Sequence, residues 1–307
     1  MAIVIFVYNN NVGILTDALL LKDLLYKYIS KDIDIIYINN PNIELNKKYD
    51  IAIWIQNPLY HLLNKFDKNI FYINEEWCKE EDLIQLHKFN YVICKNKFIV
   101  PYLEKYSDNI VYLPFISKNI YKPHVKRINE FIHFNGKSIQ KNYELIRKYN
   151  NILSINSNNI DYKFNKNDNI IKDYLPEQKL YWLLNHYNIH VCTSLYESWG
   201  HYLFEALSTG NEIICSDIPV FREMLPNDLV HFIPVKEYWD LTYTYDFYAM
   251  FPLRFSYHVD EERLKDVIYN FKPIGRNYER IKYFNQLMNK NKRLIIEWFN
   301  KLIHNQI

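Results

Sequence analysis

Short apolar runs alternate with longer amphipathic segments through the first 120 residues. The short runs are rich in Ile, Val and Phe, and they predict strands that are buried on both faces of a parallel sheet. They lie at 2–8, 33–38, 51–55, 69–73, 91–94 and 110–113. The segments between them predict helices near 15–29, 58–66, 79–88 and 96–106. Alternation of this kind predicts an α/β fold with helices on both faces of the sheet.

The alternation starts again after 121–130, a polar stretch with a Pro that we interpret as a linker. Further strands are predicted at 131–134, 151–155, 189–193 and 212–215. Further helices are predicted near 141–149, 176–186, 201–209, 218–225, 260–270 and 276–304. The aromatic stretch 236–259 has no pattern that assigns it. We therefore expect two Rossmann-like parallel-sheet domains, 1–120 and 121–307, that face a cleft and bind ligands at the carboxyl ends of their strands.

The last predicted helix has apolar residues at a spacing of three to four positions along its whole length. They are Ile281, Phe284, Leu287, Leu294, Ile295, Trp298 and Leu302. One stripe of this helix should be buried. We predict that the helix crosses back onto the N-terminal domain; the alternative is a helix confined to the second domain.

The hydrophobic content, the length and the charge of the chain exclude several classes of protein. The chain has 307 residues, 49% of them hydrophobic, which is too apolar for a disordered chain and long enough for two domains. Lys plus Arg number 37 and Asp plus Glu number 35, so the net charge is +2. With so small a net charge we expect neither binding to nucleic acid nor binding to membranes through a polybasic surface. The opening MAIVIFVYNN lacks a basic region and its apolar run is short, so we expect no signal peptide or transmembrane segment. Peripheral membrane contact stays open.

The four cysteines, Cys78, Cys94, Cys192 and Cys215, form no C-x-x-C pattern. We expect buried free thiols in a reducing compartment. The expected location is therefore the cytoplasm, or the host cytoplasm if the AT-rich codon bias of the residue usage reflects a viral genome. A D-x-D sequence at 32–34 falls inside a predicted strand, unlike a metal-binding D-x-D loop.

Glycine is scarce, with five in the whole chain. A position that keeps glycine is therefore expected to need positive φ or close backbone approach. Gly136 ends the predicted strand FIHFNG, and Lys137 and Lys141 follow it around a strand-to-helix turn. Two cations beside free backbone N–H groups predict an anion site suited to a diphosphate. A solvated pair of surface lysines is the alternative.

The segment SLYESWGHYLFEALSTG carries a second constellation. Glu197 lies in the loop after a predicted strand, and Gly200 opens a helix whose N-terminal N–H groups favour negative charge. Glu205 lies inside that helix, where Leu203 and Leu207 mark the buried stripe. A carboxylate can accept hydrogen bonds from a vicinal diol, as in a ribose or a hexose. A phosphate at the helix start and a diol beside each glutamate together describe a nucleotide sugar, although either glutamate alone fits a surface or ion-paired position.

These residues resemble retaining glycosyltransferases of the GT-B fold, notably family 4. Glu197 and Glu205 match the E-x7-E motif of that family. The flanking residues match as well: Ser194, Tyr196, Trp199, Gly200, Ala206, Leu207, Gly210, Ser216, Asp217 and Glu223. The resemblance extends over nearly the whole chain, and the elements G-K-S-x-x-K and N-x-E-W are similar to a subgroup of these enzymes.

The stretch from Gly136 to Lys141 resembles the phosphate clamp G-R-x4-K of the family. Lys137 stands where the family has Arg, and the second lysine is one residue closer. The resemblance implies that Lys137 and Lys141 hold the donor diphosphate, that Glu205 binds the ribose, and that Glu197 contacts the transferred sugar. It also implies donor contacts from Gly13, Gly136, Ser138, Ser198, Trp199, Gly200, His201 and Tyr202.

The function implied is transfer of a hexose from a UDP- or GDP-linked sugar to a glycan or other hydroxyl acceptor, with retention and without a metal. Many relatives place a His after the strand NIFYI, where this chain has Asn74, Glu75 and Glu76. Acceptor contacts by Glu75 or Glu76 are therefore a hypothesis, and no nucleophile is assigned. For His201 we expect a local hydrogen bond rather than a role as a base. The alternatives are a nucleotide-sugar epimerase of the same fold and a non-catalytic sugar-nucleotide-binding or scaffold subunit.

Overall fold

The structure is a computed structural model that describes residues 1–8, 13–136, 138–156, 169–238 and 256–307. Lys137 and most of the unassigned stretch 236–259 lie outside the described residues. The chain divides into two compact units. Unit 1 contains Met1–Ile116 and Met288–Ile307, and unit 2 contains the described residues between 117 and 287.

Unit 1 is built on a six-stranded parallel sheet with the order β2-β1-β3-β4-β5-β6. Its strands are β1 Ile3–Val7, β2 Ile33–Tyr37, β3 Ile51–Ile55, β4 Lys68–Tyr72, β5 Tyr91–Cys94 and β6 Ile110–Tyr112. All six were predicted. Every residue of β1 and β3 is buried, as an all-apolar strand covered on both faces requires. The rings of Phe6 and Trp54 stack across these two strands with their centroids 4.1 Å apart.

The helical segments of unit 1 are shorter than predicted, apart from the first. The α-helices are α1 Gly13–Tyr28, α2 Glu80–Leu83 and α3 Val100–Leu103, and short 3-10 helices cover Tyr60–Lys65, Glu75–Trp77 and Leu86–Lys88. The helix predicted near 96–106 begins only at Val100, because Pro101 has no N–H group and is tolerated only in a first helical turn.

Unit 2 is built on a second six-stranded parallel sheet, with the order β12-β11-β10-β7-β8-β9. Its strands are β7 Ile128–Gly136, β8 Ile152–Asn156, β9 Ile170–Ile171, β10 Tyr187–Cys192, β11 Glu212–Ser216 and β12 His231–Ile233. β7 occupies the last part of the stretch 121–130 that was interpreted as a linker. β13 Val235–Tyr238 and β14 Ser256–Val259 form a separate antiparallel pair at the two ends of the unassigned stretch.

Helices cover both faces of the second sheet. They are α4 Tyr143–Ile146, α5 Glu177–His186, α6 His201–Ser208, α7 Pro219–Met224 and α8 Glu261–Asn270, with a 3-10 helix at Ile139–Lys141. Ile146 of α4 and Leu264 of α8 pack with Ile189 in one apolar cluster, while Leu184 of α5 packs with Ile132 in another. The predicted α/β class with parallel sheets is confirmed. No helix among the described residues is long and apolar enough to cross a membrane.

The last helix, α9, spans Tyr278–Ile303 and belongs to both units. Its residues from Met288 onward belong to unit 1. There the Nζ of Lys68 donates a hydrogen bond to the carbonyl of Leu302 at 2.8 Å. The Trp298 ring meets the Tyr91 ring edge-on, with their centroids 5.3 Å apart.

The first turn of α9 is held in unit 2 by a buried ion pair. Nη2 of Arg280 lies 2.6 Å from Oε2 of Glu212, a residue of β11 that is fully buried. The carboxylate also accepts a hydrogen bond from the Ile274 N–H, and Nε of Arg280 donates to the carbonyl of Leu229. Burial opposes ionisation of Glu212, yet His231, Arg280 and the Ile274 N–H together hold its pKa below the ordinary value. The pair is therefore charged at neutral pH.

We expect Arg280→Met to destabilise the protein by about 3–5 kcal/mol, because it leaves the Glu212 carboxylate buried without its cation. Urea unfolding followed by circular dichroism measures this change. Replacing both partners, as Glu212→Gln with Arg280→Met, should cost less than the single change. The control Lys282→Met removes an exposed ion pair with Glu279 and should change stability little. Equal losses for Arg280→Met and Lys282→Met would contradict a structural role for the buried pair.

Candidate functional site

The two segments that the sequence singled out in unit 2 meet at one edge of its sheet. β7 and β10 are neighbouring parallel strands, so the residues that follow them lie side by side. The N–H of Leu195 donates to the carbonyl of Gln140 at 2.8 Å, and Oγ1 of Thr193 donates to the carbonyl of Lys141 at 3.3 Å. These bonds fix the turn after β7 against the loop after β10.

Lys141 and Glu197 form an ion pair at this edge. The ammonium contacts Oε1 of Glu197, which also accepts a hydrogen bond from the Ser194 hydroxyl at 2.8 Å. Because Ser194 gives its proton to Glu197, the Tyr202 hydroxyl donates to Ser194, at 2.5 Å. The ammonium lies 3.7 Å from the centroid of the Tyr202 ring, within cation–π range. Side-chain exposure is 14% for Lys141 and 5% for Glu197, so the pair is shielded from water and its geometry is well fixed.

Gly200 precedes α6 with a φ of +90°, a conformation that suits glycine. A Cβ on this residue would lie 2.7 Å from Cε1 of Phe221 and 3.8 Å from Cγ of Glu197. Any side chain here would therefore collide with Phe221. α6 begins directly after Gly200, so its N-terminal end lies close to Glu197 of the ion pair. This arrangement is suited to an anion.

The Ser117 hydroxyl fixes two residues around the start of α6. It lies 2.9 Å from Nε1 of Trp199, which donates to it, and 2.9 Å from Nδ1 of His201. The Trp199 ring is buried and stacks on Phe204 with a centroid distance of 4.5 Å. Trp199 therefore serves as a core side chain. His201 makes the local hydrogen bond that the sequence led us to expect. Ser198, the residue before Trp199, is also buried.

Glu205 lies within α6 and is 7% exposed. Among the described residues its carboxylate has no hydrogen-bond partner. Burial raises its pKa to about 7; the charges of His201 and Lys118 act in the opposite direction, and Glu177 adds to the rise. A buried carboxylate without donors is expected to bind a ligand that supplies hydroxyl groups.

The turn that follows β7 contains several buried polar groups without partners. The Asn135 carboxamide, the Ser138 hydroxyl and Oε1 of Gln140 make no hydrogen bond within the described part of the chain. Folded proteins leave few such groups unpaired, so their clustering in one turn indicates a place where a ligand supplies the missing partners. Gly136, at the centre of the turn, has a φ of +59°. Sequence reasoning named Ser138 but missed Asn135 and Gln140, and the only signal was their nearness to Gly136.

His133 lies below this turn in β7 and is fully buried. Its Nδ1 is 2.8 Å from the carbonyl of Val191 in β10 and donates to it. Burial, with a smaller contribution from the nearby charge of Lys141, lowers the pKa of His133 to about 4, although the hydrogen bond to Val191 acts in the opposite direction. The imidazole is therefore neutral at neutral pH, and among the described residues Lys141 is the cation next to the turn.

Three predicted site residues lie in unit 1. Glu75 and Glu76 form the 3-10 helix after β4, and both are buried. Nδ2 of Asn96 donates to Oε1 of Glu75. Gly13 is the first residue of α1, and a Cβ placed on it would meet no described atom within 4 Å. No close backbone approach among the described residues therefore requires glycine at this position.

No protein-family model matches the sequence, and no curated protein matches it either. Solved structures do match. The pneumococcal O-GlcNAc transferase GtfA, solved with UDP and GlcNAc, matches 84% of this chain at 12% identity with a TM-score of 0.56. Sucrose-phosphate synthase from Thermosynechococcus elongatus matches 99% at 10% identity with a TM-score of 0.60. WaaG, a glycosyltransferase involved in lipopolysaccharide biosynthesis, matches 94% at 8% identity with a TM-score of 0.55.

These likenesses establish the fold. The match covers 57% of the GtfA chain, 98% of the sucrose-phosphate synthase chain and 95% of the WaaG chain. Two Rossmann-like domains with six-stranded parallel sheets are the architecture of GT-B glycosyltransferases. The predicted fold class is confirmed.

We expect Glu205→Gln to stabilise the protein above neutral pH. Unfolded, Glu205 loses its proton near 4.5, but in the folded protein its pKa is about 7. The wild type therefore loses stability as the pH rises between these values, and the neutral Gln does not. The variant should be more stable by up to about 3 kcal/mol at about pH 8, with little difference at about pH 4. Urea unfolding at both pH values, with the exposed Glu262→Gln as control, measures this. An equal effect of Glu205→Gln at both pH values would contradict the assignment.

Proposed function

We propose that this protein is a glycosyltransferase that moves a hexose from a UDP- or GDP-linked sugar to a glycan or other hydroxyl acceptor, with retention and without a metal cofactor. The observation that carries the proposal is the Lys141–Glu197 pair beside the Gly200 end of α6. It brings a cation, the start of a helix and a shielded carboxylate together at the carboxyl edge of a Rossmann-like sheet. A structure of the same fold, GtfA, contains UDP and GlcNAc, which supports a donor of this kind.

The donor diphosphate would bind between Lys141 and the start of α6. The ammonium and the helix N–H groups would stabilise the negative charge that develops on the leaving diphosphate as the glycosidic bond breaks. The unpaired Ser138 hydroxyl and Asn135 carboxamide would supply further hydrogen bonds to phosphate oxygens. In this proposal Lys137 is a second cation of the same clamp, and Gly13 contributes to donor binding.

The two glutamates would bind different parts of the donor. Glu197 is held by Ser194 and Lys141, so its free oxygen is oriented for hydroxyl groups of the transferred hexose. Glu205 would accept hydrogen bonds from the ribose hydroxyls. Such bonds favour the ionised carboxylate, so nucleotide affinity should increase as the pH rises through about 7.

We expect Lys141→Ala to lower the rate of donor turnover far more than it lowers stability. Removal of a charged group aimed at the leaving diphosphate should raise the barrier by about 2–4 kcal/mol, or lower the rate about 30- to 1000-fold. Nucleotide release from a panel of UDP- and GDP-sugars at saturating donor measures the rate. Lys148→Ala, which removes an exposed lysine paired with Glu261, is the matched control. A rate for Lys141→Ala equal to that of the control would contradict the assignment.

The same assay separates the alternatives. An epimerase would convert the nucleotide sugar without releasing free nucleotide, whereas a binding or scaffold subunit would bind the donor and turn over none of it. Full activity after exhaustive treatment with a chelator is expected of a metal-independent transferase.

We expect the two glutamates to differ in what they recognise. Glu205→Gln should weaken binding of the free nucleoside diphosphate and of the sugar-linked donor alike, since both contain ribose. Glu197→Gln should spare the free nucleotide and weaken only the sugar-linked donor. Calorimetric titration of each variant with UDP, GDP and their sugars measures this difference. The reverse pattern would show that the two roles are exchanged.

A further inference from the structure

Two arginines lie together at the amino edge of the sheet in unit 2, where its strands begin. Arg127 directly precedes β7, and Arg276 lies two residues before the start of α9. The turn that contains Gly136 lies at the opposite end of β7. A rise of about 3.3 Å per residue places Arg127 up to about 30 Å from that turn. The two arginines are therefore separate from the Lys141–Glu197 pair.

Both guanidinium groups are held by neutral acceptors. Nη1 of Arg127 donates to Oδ1 of Asn188 at 3.0 Å, and Nη2 donates to the carbonyl of Thr209 at 2.6 Å. Nη1 of Arg276 donates to the hydroxyl of Tyr121 at 2.9 Å and to a backbone carbonyl at 3.5 Å. Neither arginine forms an ion pair with a carboxylate among the described residues. Their positive charges are therefore uncompensated in this part of the chain.

The two charges act on each other. Burial, with a smaller contribution from the charge of Arg276, lowers the pKa of Arg127 to about 10, although Tyr121 and Tyr278 act in the opposite direction. Arg127 still keeps its proton at neutral pH, so two like charges stay close together in a half-buried position. Such an arrangement costs free energy. A bound anion would remove this cost.

The surrounding sequence adds positive charge. The segments 121–128 and 271–278 contain no Asp or Glu, and their cations are Lys122, Lys126, Arg127, Lys272 and Arg276. The nearby carboxylate of Glu212 accepts from the Ile274 N–H and is already paired with Arg280. α9 begins directly after the second segment, and the start of a helix also favours negative charge.

Unpaired donors at both arginines indicate what kind of anion fits. Nε of Arg127 and Nε of Arg276 are buried and make no hydrogen bond within the part of the chain that the structure describes. Native proteins leave few such N–H groups unpaired. Guanidinium groups bind phosphate through two parallel hydrogen bonds, and a phosphate group has enough oxygens and charge to serve two of them.

We propose that Arg127 and Arg276 bind the phosphate group of a small phosphorylated molecule at the amino edge of the sheet in unit 2. This site is distinct from the donor site proposed at the carboxyl edge. It does not rest on the proposed transferase function, because the observations that carry it involve none of the residues assigned to the donor.

The test removes one guanidinium. Arg276→Gln takes away a charge and a pair of donors, while Arg276→Lys keeps the charge without the planar fork. Arg263→Gln is the matched control, since it removes an exposed arginine of the same unit that is paired with Asp266. Each change is made in the full chain that also carries Lys141→Ala, so that the proposed donor clamp lacks a cation and contributes less to phosphate binding.

The probe is inorganic phosphate, titrated by calorimetry in a chloride buffer of constant ionic strength. We expect saturable binding to the Lys141→Ala chain and an affinity at least about tenfold lower after Arg276→Gln, because charge-assisted hydrogen bonds are lost. Arg276→Lys should lie between the two, and Arg263→Gln should leave the affinity unchanged.

Thermal unfolding separates a ligand site from a structural role. Phosphate should raise the melting temperature of the Lys141→Ala chain and of its Arg263→Gln variant, and should raise that of Arg276→Gln less. A purely structural role of Arg276 would instead lower the melting temperature equally with and without phosphate, and this result would overturn the proposal.

Two further results would overturn it. One is the absence of phosphate binding, or an equal affinity of Arg276→Gln and Arg263→Gln for phosphate. The other concerns the source of the phosphate group, which sedimentation with phosphatidylglycerol and phosphatidylcholine vesicles examines. Binding to the anionic vesicles that depends on Arg276, with no affinity for inorganic phosphate, would assign the site to a lipid surface and not to a small molecule.

Discussion

The parallel pairing of β7 with β10 is the constraint on which the candidate site depends. It places the residues after both strands at one edge of the sheet, and the backbone bond from Leu195 to Gln140 fixes their register. Lys141 and Glu197 are 56 positions apart in the chain, yet this pairing brings the segments that carry them together. Phe221 occupies the place where a Cβ of residue 200 would lie, so glycine is required directly before the first turn of α6.

Three glutamates in unit 2 show how environment decides the role of one residue type. Glu212 is fully buried and paired with Arg280, so it is charged and structural. Glu197 is shielded but paired with Lys141 at the open end of the sheet, where a ligand can share its partners. Glu205 is equally shielded and has no donor among the described residues, so its pKa rises to about 7. The cost of holding Glu205 unpaired is a reason to assign it to a ligand rather than to the fold.

The sequence predicted the sheets well where strands are long and apolar. β1 reads IVIFV and is buried throughout, whereas β9 and β12 have only two and three residues and carry no pattern to detect. The phosphate-clamp and E-x7-E motifs indicated Lys141, Glu197 and Glu205, because the spacing of a motif can be read directly from the sequence. No motif indicated Arg127 and Arg276, since what distinguishes these residues is that the fold brings two segments distant in sequence together.

The two sheets end in different polar groups. The edge in unit 2 offers Lys141 and the start of α6, which suit a phosphate. The edge in unit 1 ends in the uncharged amide of Gln56, whose oxygen accepts a hydrogen bond from Asn74. The charge at the carboxyl edge therefore differs between two sheets of the same strand number, because it depends on the residues that follow the strands and not on the sheet itself.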